Sequence, residues 1–232
     1  MVYKFLELLF PGQCLVCGKR GLEGRDICAT CLEKLPRNHP CCPCCAESLP
    51  SRQADGSLCG ACSAKPPPYQ RIIAPWRYEA PLDALIRQLK FHRKLAAGRL
   101  LGELLAGEIP SGPGPDLLVP VPLHPRQLRR KGFNHISEIT LFLSRASGIP
   151  WSPRRLKKIR ETRSQHSLSR KERQGNLRGC FHFDNSAGYR HVAVVDDIVT
   201  TGATARETAL ALKRAGVEQV EIWAMARTPE HR

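Results

Sequence analysis

The chain has 232 residues, 42% of them hydrophobic, enough for one medium domain with its own core and a smaller one beside it. Its formal charge is +15 and its pI about 9.7, and no run is long and apolar enough for a helical bilayer span. The excess charge is uneven: residues 126–178 hold 15 Lys and Arg against three acids, a net +12, which points to a polyanionic partner, phosphorylated or nucleic acid, with a solvated basic face as the plain alternative.

In chain order, the opening "MVYKFLELLF" is short, is broken by Lys4 and Glu7, and leads to no small-residue cleavage site, so it does not read as a secretory signal. Ten of the eleven cysteines then fall within residues 14–62. Without a secretion signal, that density points to metal rather than disulfides, and to the cytosol. Four C-x-x-C pairs stand out: Cys14/Cys17, Cys28/Cys31, Cys42/Cys45 and Cys59/Cys62. Two residues between thiolates let one turn present both sulfurs to one tetrahedral zinc, and four pairs supply ligands for two sites. Cys41 and Cys44 form a competing pair inside "CCPCC", and pairing in sequence order is an expectation that spacing alone does not enforce. Four thiolates close a zinc shell, which makes the metal structural, and a stretch with so little core takes much of its folding energy from it. Cys180 stands alone and reads as a buried thiol.

Composition shifts near residue 65, dividing the chain into a cysteine-rich module at 1–65 and a globular domain at 66–232. "AKPPPYQ" (64–70) reads as a stiff extended linker between them. Leu82, Leu85, Ile86 and Leu89 stand at helical spacing, and a second helical run starts near Leu95. "DLLVPVPL" reads as a buried strand ended by prolines. "HISEITLFLSRAS" reads as a helix stopped by Gly148. "HVAVVD" is the continuous apolar run of a parallel strand covered on both faces. "TARETALALKRAG" is a helix with Lys213 and Arg214 in its last turn and Gly216 just past it, and "VEQVEIWAMA" returns as a strand. Alternating helices and strands make the class α/β.

The strand "VAVV" delivers Asp196 and Asp197 to its carboxyl end, where open α/β sheets bind ligands. Thr200, Thr201, Gly202, Ala203 and Thr204 follow and open a helix, whose first N–H groups and nearby hydroxyls form a phosphate cradle. Adjacent carboxylates suit vicinal sugar hydroxyls, so the stretch fits a ribose 5-phosphate.

This stretch resembles the phosphoribosyl-diphosphate (PRPP) signature of type I phosphoribosyltransferases. The resemblance implies that Asp196 and Asp197 hold the ribose hydroxyls and that Thr200 to Thr204 hold the 5-phosphate. Over the whole chain, "FPGQCLVCG", "ICATC", "CPCCAESL", "CGACSAKPPP", "LIRQLKFHRK", "VPVPLHPRQLRRKGFNH" and "RSQHSLSRKERQGNLRGCF" are together similar to the ComF family, in particular its GntX or DNA-utilisation branch. That family implies a type I phosphoribosyltransferase fold, a parallel sheet flanked by helices, behind an N-terminal double zinc ribbon. Its third pair usually reads Cys-Pro-x-Cys-Gly, which favours Cys42 and Cys45 as ligands and puts Ala46 where the family has glycine.

The family also implies that the loop after "LLVPVP", with Pro122 to His124 at its start, cups the diphosphate, with Arg129, Arg130 and Lys131 further along it as candidates to neutralise it. Residues 160–173 match the family's mobile lid, in which Arg160, Arg163, Arg170 and Arg173 could stabilise the leaving diphosphate and exclude water. Gln165 belongs to the lid motif, and His166 is either an acid–base group or a solvated loop histidine. The implied ligands are structural zinc, PRPP with Mg2+, and single-stranded DNA. The family's link to uptake of external DNA adds uptake-machinery proteins as partners, in the cytoplasm or peripherally at the inner face of the membrane. Aromatics in the basic block are few (Phe133, Phe142, Trp151), so sequence-independent phosphate contact fits better than base readout. Arg154, Arg155, Lys157 and Lys158 precede the lid and are expected to touch DNA but not PRPP. An active phosphoribosyltransferase of nucleotide or nucleoside metabolism and a PRPP-sensing regulator are the alternative readings. The sequence names no acceptor site and no catalytic residue.

Overall fold

A computed structural model describes residues 12–50, 56–161 and 177–229. Its centre is an all-parallel sheet in the order β1 (Arg71–Ile73), β7 (Gln219–Arg227), β6 (His191–Val199), β3 (Leu117–Pro120), with β2 (Trp76–Arg77) pairing further along β7. β4 (Leu156–Lys158) and β5 (Phe181–Phe183) form a separate antiparallel pair.

Alternation along the two long strands sorts the core into two layers. Val192 and Val194 of β6 and Val220, Ile222 and Ala224 of β7 face one cluster, which α7 (Ala203–Arg214) covers with Ala205, Ala209 and Leu212. Ala193, Val195, Trp223 and Met225 face the other, covered by α3 (Leu82–His92), α4 (Leu95–Ala106) and α6 (His135–Ser147). Burial on both faces is why these strands read as unbroken apolar runs. α3 buries Leu82, Leu85, Ile86 and Leu89, the stripe seen in the sequence, and ends at Arg93 in a left-handed conformation, φ 52°. α6 stops at Gly148, φ 75°, a position that favours glycine.

The cysteine-rich part is two copies of one unit. In the first, Cys14 and Cys17 lie on a tight turn closed by Gly18 N–H to Cys14 O at 2.9 Å, and Cys28 caps a five-residue helix, α1 (Ala29–Glu33), that carries Cys31. In the second, Cys42 and Cys45 lie on the same turn, closed by Ala46 N–H to Cys42 O at 2.8 Å, and Cys59 caps α2 (Gly60–Ala64), which carries Cys62. Gly18 and Ala46 occupy the same left-handed position, φ 75° and 55°. This is the conformation that makes glycine the easier residue there.

Residues 64–70 are more than a spacer. Tyr69 is buried in the same cluster as Cys45 and Cys62, and Gln70 N–H donates to Val220 O at 2.8 Å. Several short elements escaped the sequence reading, among them a helix at 125–131 and the strands β1 and β2. Residues 125–131, read as loop, form α5 (Pro125–Lys131), which buries no side chain and so shows no apolar period. β1 and β2 are too short to show a period of their own.

Candidate functional site

The carboxyl ends of β6 and β3 open into a cleft of about 620 Å³. α3, α5 and the start of α7 wall it, and Asp196, Asp197 and the whole Thr200–Thr204 loop line it. β6 carries both acids inside the sheet, and each is only 7% exposed. The loop turns into α7 at Gly202, φ 74°, which has no side chain to cap the helix, and Thr201 Oγ1 accepts from Ala203 N–H at 3.4 Å. The amides of Thr204 and Ala205, which line the cleft, take no such side-chain partner among the described residues and suit an anion there.

The two carboxyls differ. Asp197 Oδ2 accepts from Lys90 Nζ at 3.0 Å and lies 2.8 Å from His135 Nε2, while its Oδ1 accepts from Ile198 N–H at 2.8 Å. Burial alone would raise its pKa, but the His135 hydrogen bond and the Lys90 charge overcome this and hold the carboxylate well below the usual range. Asp196 Oδ1 accepts from Asp197 N–H at 2.9 Å. Its pKa is pushed well above the usual range, first by burial and then by the charge of Asp197. Two buried neighbours cannot both ionise cheaply, so the pair holds one secured charge. Lys90 shows the counterpart: burial works against its charge, and Asp197 raises its pKa regardless.

Neither Lys90 nor His135 was picked out from the sequence. Lys90 follows the last residue of the α3 apolar stripe, Leu89, and brings a charge from 107 positions away in sequence. His135 opens α6, held by its neighbour Asn134, whose Oδ1 accepts from Ile136 N–H at 3.1 Å and whose Nδ2 donates to Val121 O at 3.0 Å. The only sequence signal was a histidine directly after an N-cap asparagine.

Of the diphosphate candidates, Arg130 and Lys131 line the cleft, as do Pro122 and Leu123. His124 instead caps α5, its Nδ1 accepting from Arg126 N–H at 3.4 Å. Arg129 is exposed on α5 and is not among the cleft-lining residues. Burial, then the nearby Lys90 charge, lowers the pKa of Lys131. Arg160 donates to Arg178 O at 2.8 Å and to Cys180 Sγ at 3.3 Å, and Cys180 is fully buried. Gln165, His166, Arg163, Arg170 and Arg173 lie outside the described residues. Among the residues expected to meet DNA alone, Arg154 and Lys157 are exposed. Arg155 is bound to Asp184 Oδ2 at 3.0 Å and stacks over Tyr189, and Lys158 lines the cleft.

The cysteines gather in two groups, Cys14, Cys17, Cys28 and Cys31, and Cys42, Cys45, Cys59 and Cys62, with the sulfurs of each group within 4.8 Å of one another. Cys17 and Cys28 sulfurs are 3.7 Å apart and Cys45 and Cys59 sulfurs 3.5 Å, close to the ~3.8 Å edge of a tetrahedron with Zn–S of about 2.3 Å. Cys59 N–H donates to Cys42 Sγ at 3.3 Å, the kind of bond that steadies a thiolate ligand. Cys41 and Cys44 stand outside both groups. The ribbon and its two four-thiol sites thus support structural zinc.

The fold and site define a class: a parallel-sheet α/β protein with a buried acidic pair and threonine loop, fused to a double zinc ribbon. The double zinc ribbon domain family matches residues 5–70. The DNA utilization protein YhgH of Escherichia coli K12 is 36% identical over 228 residues, covering 95% of this chain and 99% of that protein. Competence protein F of Haemophilus influenzae is 30% identical, covering 94% and 98%. The chain belongs to the family of these two proteins, the ComF family. A solved structure titled as the allosteric regulatory enzyme of purine biosynthesis is 25% identical, covers 55% of this chain and 25% of its own, and has a TM-score of 0.38.

Proposed function

We propose that this protein binds PRPP in the cleft and handles single-stranded DNA in the uptake or use of external DNA. The observation that carries the reading is the acidic pair, one member locked by Lys90 and His135, at the strand end that opens into the Thr200–Thr204 loop. Asp197 Oδ2 already takes two partners, so Asp196 has the more open acceptor capacity toward ribose hydroxyls. Thr200 to Thr204 take the 5-phosphate, and Arg130 and Lys131 face the diphosphate. Mg2+ accompanies that diphosphate, since the ion prefers oxygen ligands and keeps part of its water. The relatives' names, DNA utilization protein and competence protein, support the DNA part, and so does the basic block. Among the described residues no helix is long and apolar enough to cross a membrane, which fits work at the inner face of a membrane through peripheral contacts.

Calorimetry with PRPP and Mg2+ tests the cleft: wild type binds, and Asp196→Asn loses about five- to tenfold in affinity, the worth of one hydrogen bond. Unchanged affinity in Asp196→Asn defeats the ribose assignment. In the same experiment, diphosphate release on adding bases or DNA separates turnover from binding.

A further inference from the structure

Phe91 is 63% exposed. Leu82, Leu85, Ile86 and Leu89 of the same helix are all 1% exposed or less, and Phe91 follows Leu89 by two positions, on the side of α3 away from that stripe. An aromatic ring left in water costs its transfer energy, and packing among the described residues offers no return for it. It lines the rim of the cleft, beside Lys90, Gln127, Arg130 and Lys131.

α5 buries no side chain, and its Leu128 is 41% exposed. Arg93, in its left-handed conformation, fastens the end of α3 to the end of α5: its Nη2 donates to Lys131 O, and its guanidinium stacks over Phe133 at 5.4 Å. The chain thus holds a strained non-glycine residue at the point where the two rim helices meet, which fixes the position of Phe91 relative to Arg130 and Lys131. A flat exposed ring, an amide side chain with donor and acceptor, and flanking cations match a nucleobase with its phosphates. The ring stands among cations, which favours an anionic strand over an apolar protein surface as its partner.

Resting on the reading that DNA is handled at this face, we propose that Phe91 is the stacking platform for a base of single-stranded nucleic acid at the rim of the cleft, with Gln127 facing the base edge and Arg129, Arg130 and Lys131 taking the adjoining phosphates. The strand, rather than a free base or nucleotide, is the ligand, because the cations continue along α5 to Arg129 beyond the cleft lining. A base stacked here lies over the floor where Asp196, Asp197 and the threonine loop meet PRPP, so the two ligands share one cleft.

The test measures anisotropy of a short labelled oligothymidylate and of the same-length abasic strand, with thymidine monophosphate as competitor. Wild type should favour the thymidylate strand over the abasic one by about fivefold or more, the usual worth of one stacked base. Phe91→Ala should remove that preference while leaving abasic-strand affinity and PRPP calorimetry unchanged, and Phe91→Trp should restore it. Equal wild-type affinity for both strands overturns the proposal, as does a Phe91→Ala protein that keeps the preference. Thymidine monophosphate competing as well as the strand overturns the strand assignment. Failure of PRPP to bind, or of any strand to bind, is read in separate arms and counts against the function proposed above rather than against Phe91.

Discussion

At the scale of single residues, Asp197 is the most constrained group in the cleft. Its partner Lys90 keeps only 20% of its side chain exposed and Asp197 only 10%, so removing either leaves a largely buried charge without its opposite. Lys90→Met should destabilise the protein by about 3 kcal/mol, the lower end for a broken buried pair, as read from urea midpoints at neutral pH. The pH dependence has a definite sign. Asp197 has a depressed folded pKa, so its contribution is full above the ordinary carboxylate value of about 3.9 and is lost as pH falls toward the folded value. The gap between wild type and Lys90→Met should therefore shrink as the pH is lowered below about 4. A gap that widens on acidification would show that the pair is not what holds the carboxylate. Asp197→Asn consequently disturbs folding as well as binding, which makes Asp196 the cleaner probe of the ribose contact.

At the scale of elements, the close crossing of α4 and α6 is set by two glycines with opposite tolerance. A Cβ on Gly102 would sit 2.7 Å from both Ile139 O and Leu143 N and 2.8 Å from Phe142 Cβ. Two of those atoms are backbone and cannot yield without moving α6. A Cβ on Gly98 would meet the Leu89 Cδ1 end at 3.2 Å and Glu138 Cβ at 3.3 Å, and the leucine side chain can shift. Alanine gains about 1 kcal/mol of helix propensity at either site. Gly98→Ala should therefore be neutral within about 1 kcal/mol. Gly102→Ala should lose roughly 1–3 kcal/mol net, because overpacking against backbone outweighs propensity. Thermal midpoints of the two variants decide this: a Gly102→Ala protein as stable as Gly98→Ala would mean that the helices separate freely.

At the scale of the whole molecule, the zinc ribbon and the sheet are one construction. The first cysteine group lies in the cluster under α3, α4 and α6, and the second in the cluster under α7, so the two units grip opposite faces of the sheet. Backbone joins them as well: Arg77 N–H donates to Pro36 O and Ile72 N–H to Cys44 O, both at 2.8 Å. Asn38, buried, donates to Ala46 O and Ala74 O, at 2.9 and 3.1 Å. Glu47 of the second unit pairs with Arg227 at the end of β7, one residue before Thr228 in the cleft. Gln88 Nε2 donates to Leu15 O of the first unit at 3.1 Å, two positions before Lys90. Elemental analysis should find two zinc ions per chain, and a strong chelator should lower the melting temperature of the entire chain in one transition. Structural zinc contributes on the order of 10 kcal/mol, and each kcal/mol is worth about 2–4 °C in a chain of this size. Loss of even a third of it should appear as a drop of about 10 °C. An unchanged main transition after zinc removal would show that the ribbon folds apart from the sheet.

What the sequence determined by itself was everything written in local spacing. The C-x-x-C pairs, the apolar stripe of α3, the stop of α6 at Gly148 and the strand-acid-threonine order of residues 192–204 are each complete within a dozen residues or so, because one turn, one helix face or one strand end needs no distant partner. What only the tertiary structure decided was everything that depends on residues far apart in sequence. Lys90 reads as one more helix-surface lysine until Asp197 is placed 3.0 Å away. Phe91 stands off the apolar stripe of α3, and only the fold shows that it faces the cleft. α5 has no buried face to announce it, and the proline segment at 64–70 reads as a spacer until Tyr69 is seen inside the core. Burial and charge pairing are set by three-dimensional neighbours, and a pattern of period 2 or 3.6 carries no record of which neighbour arrives.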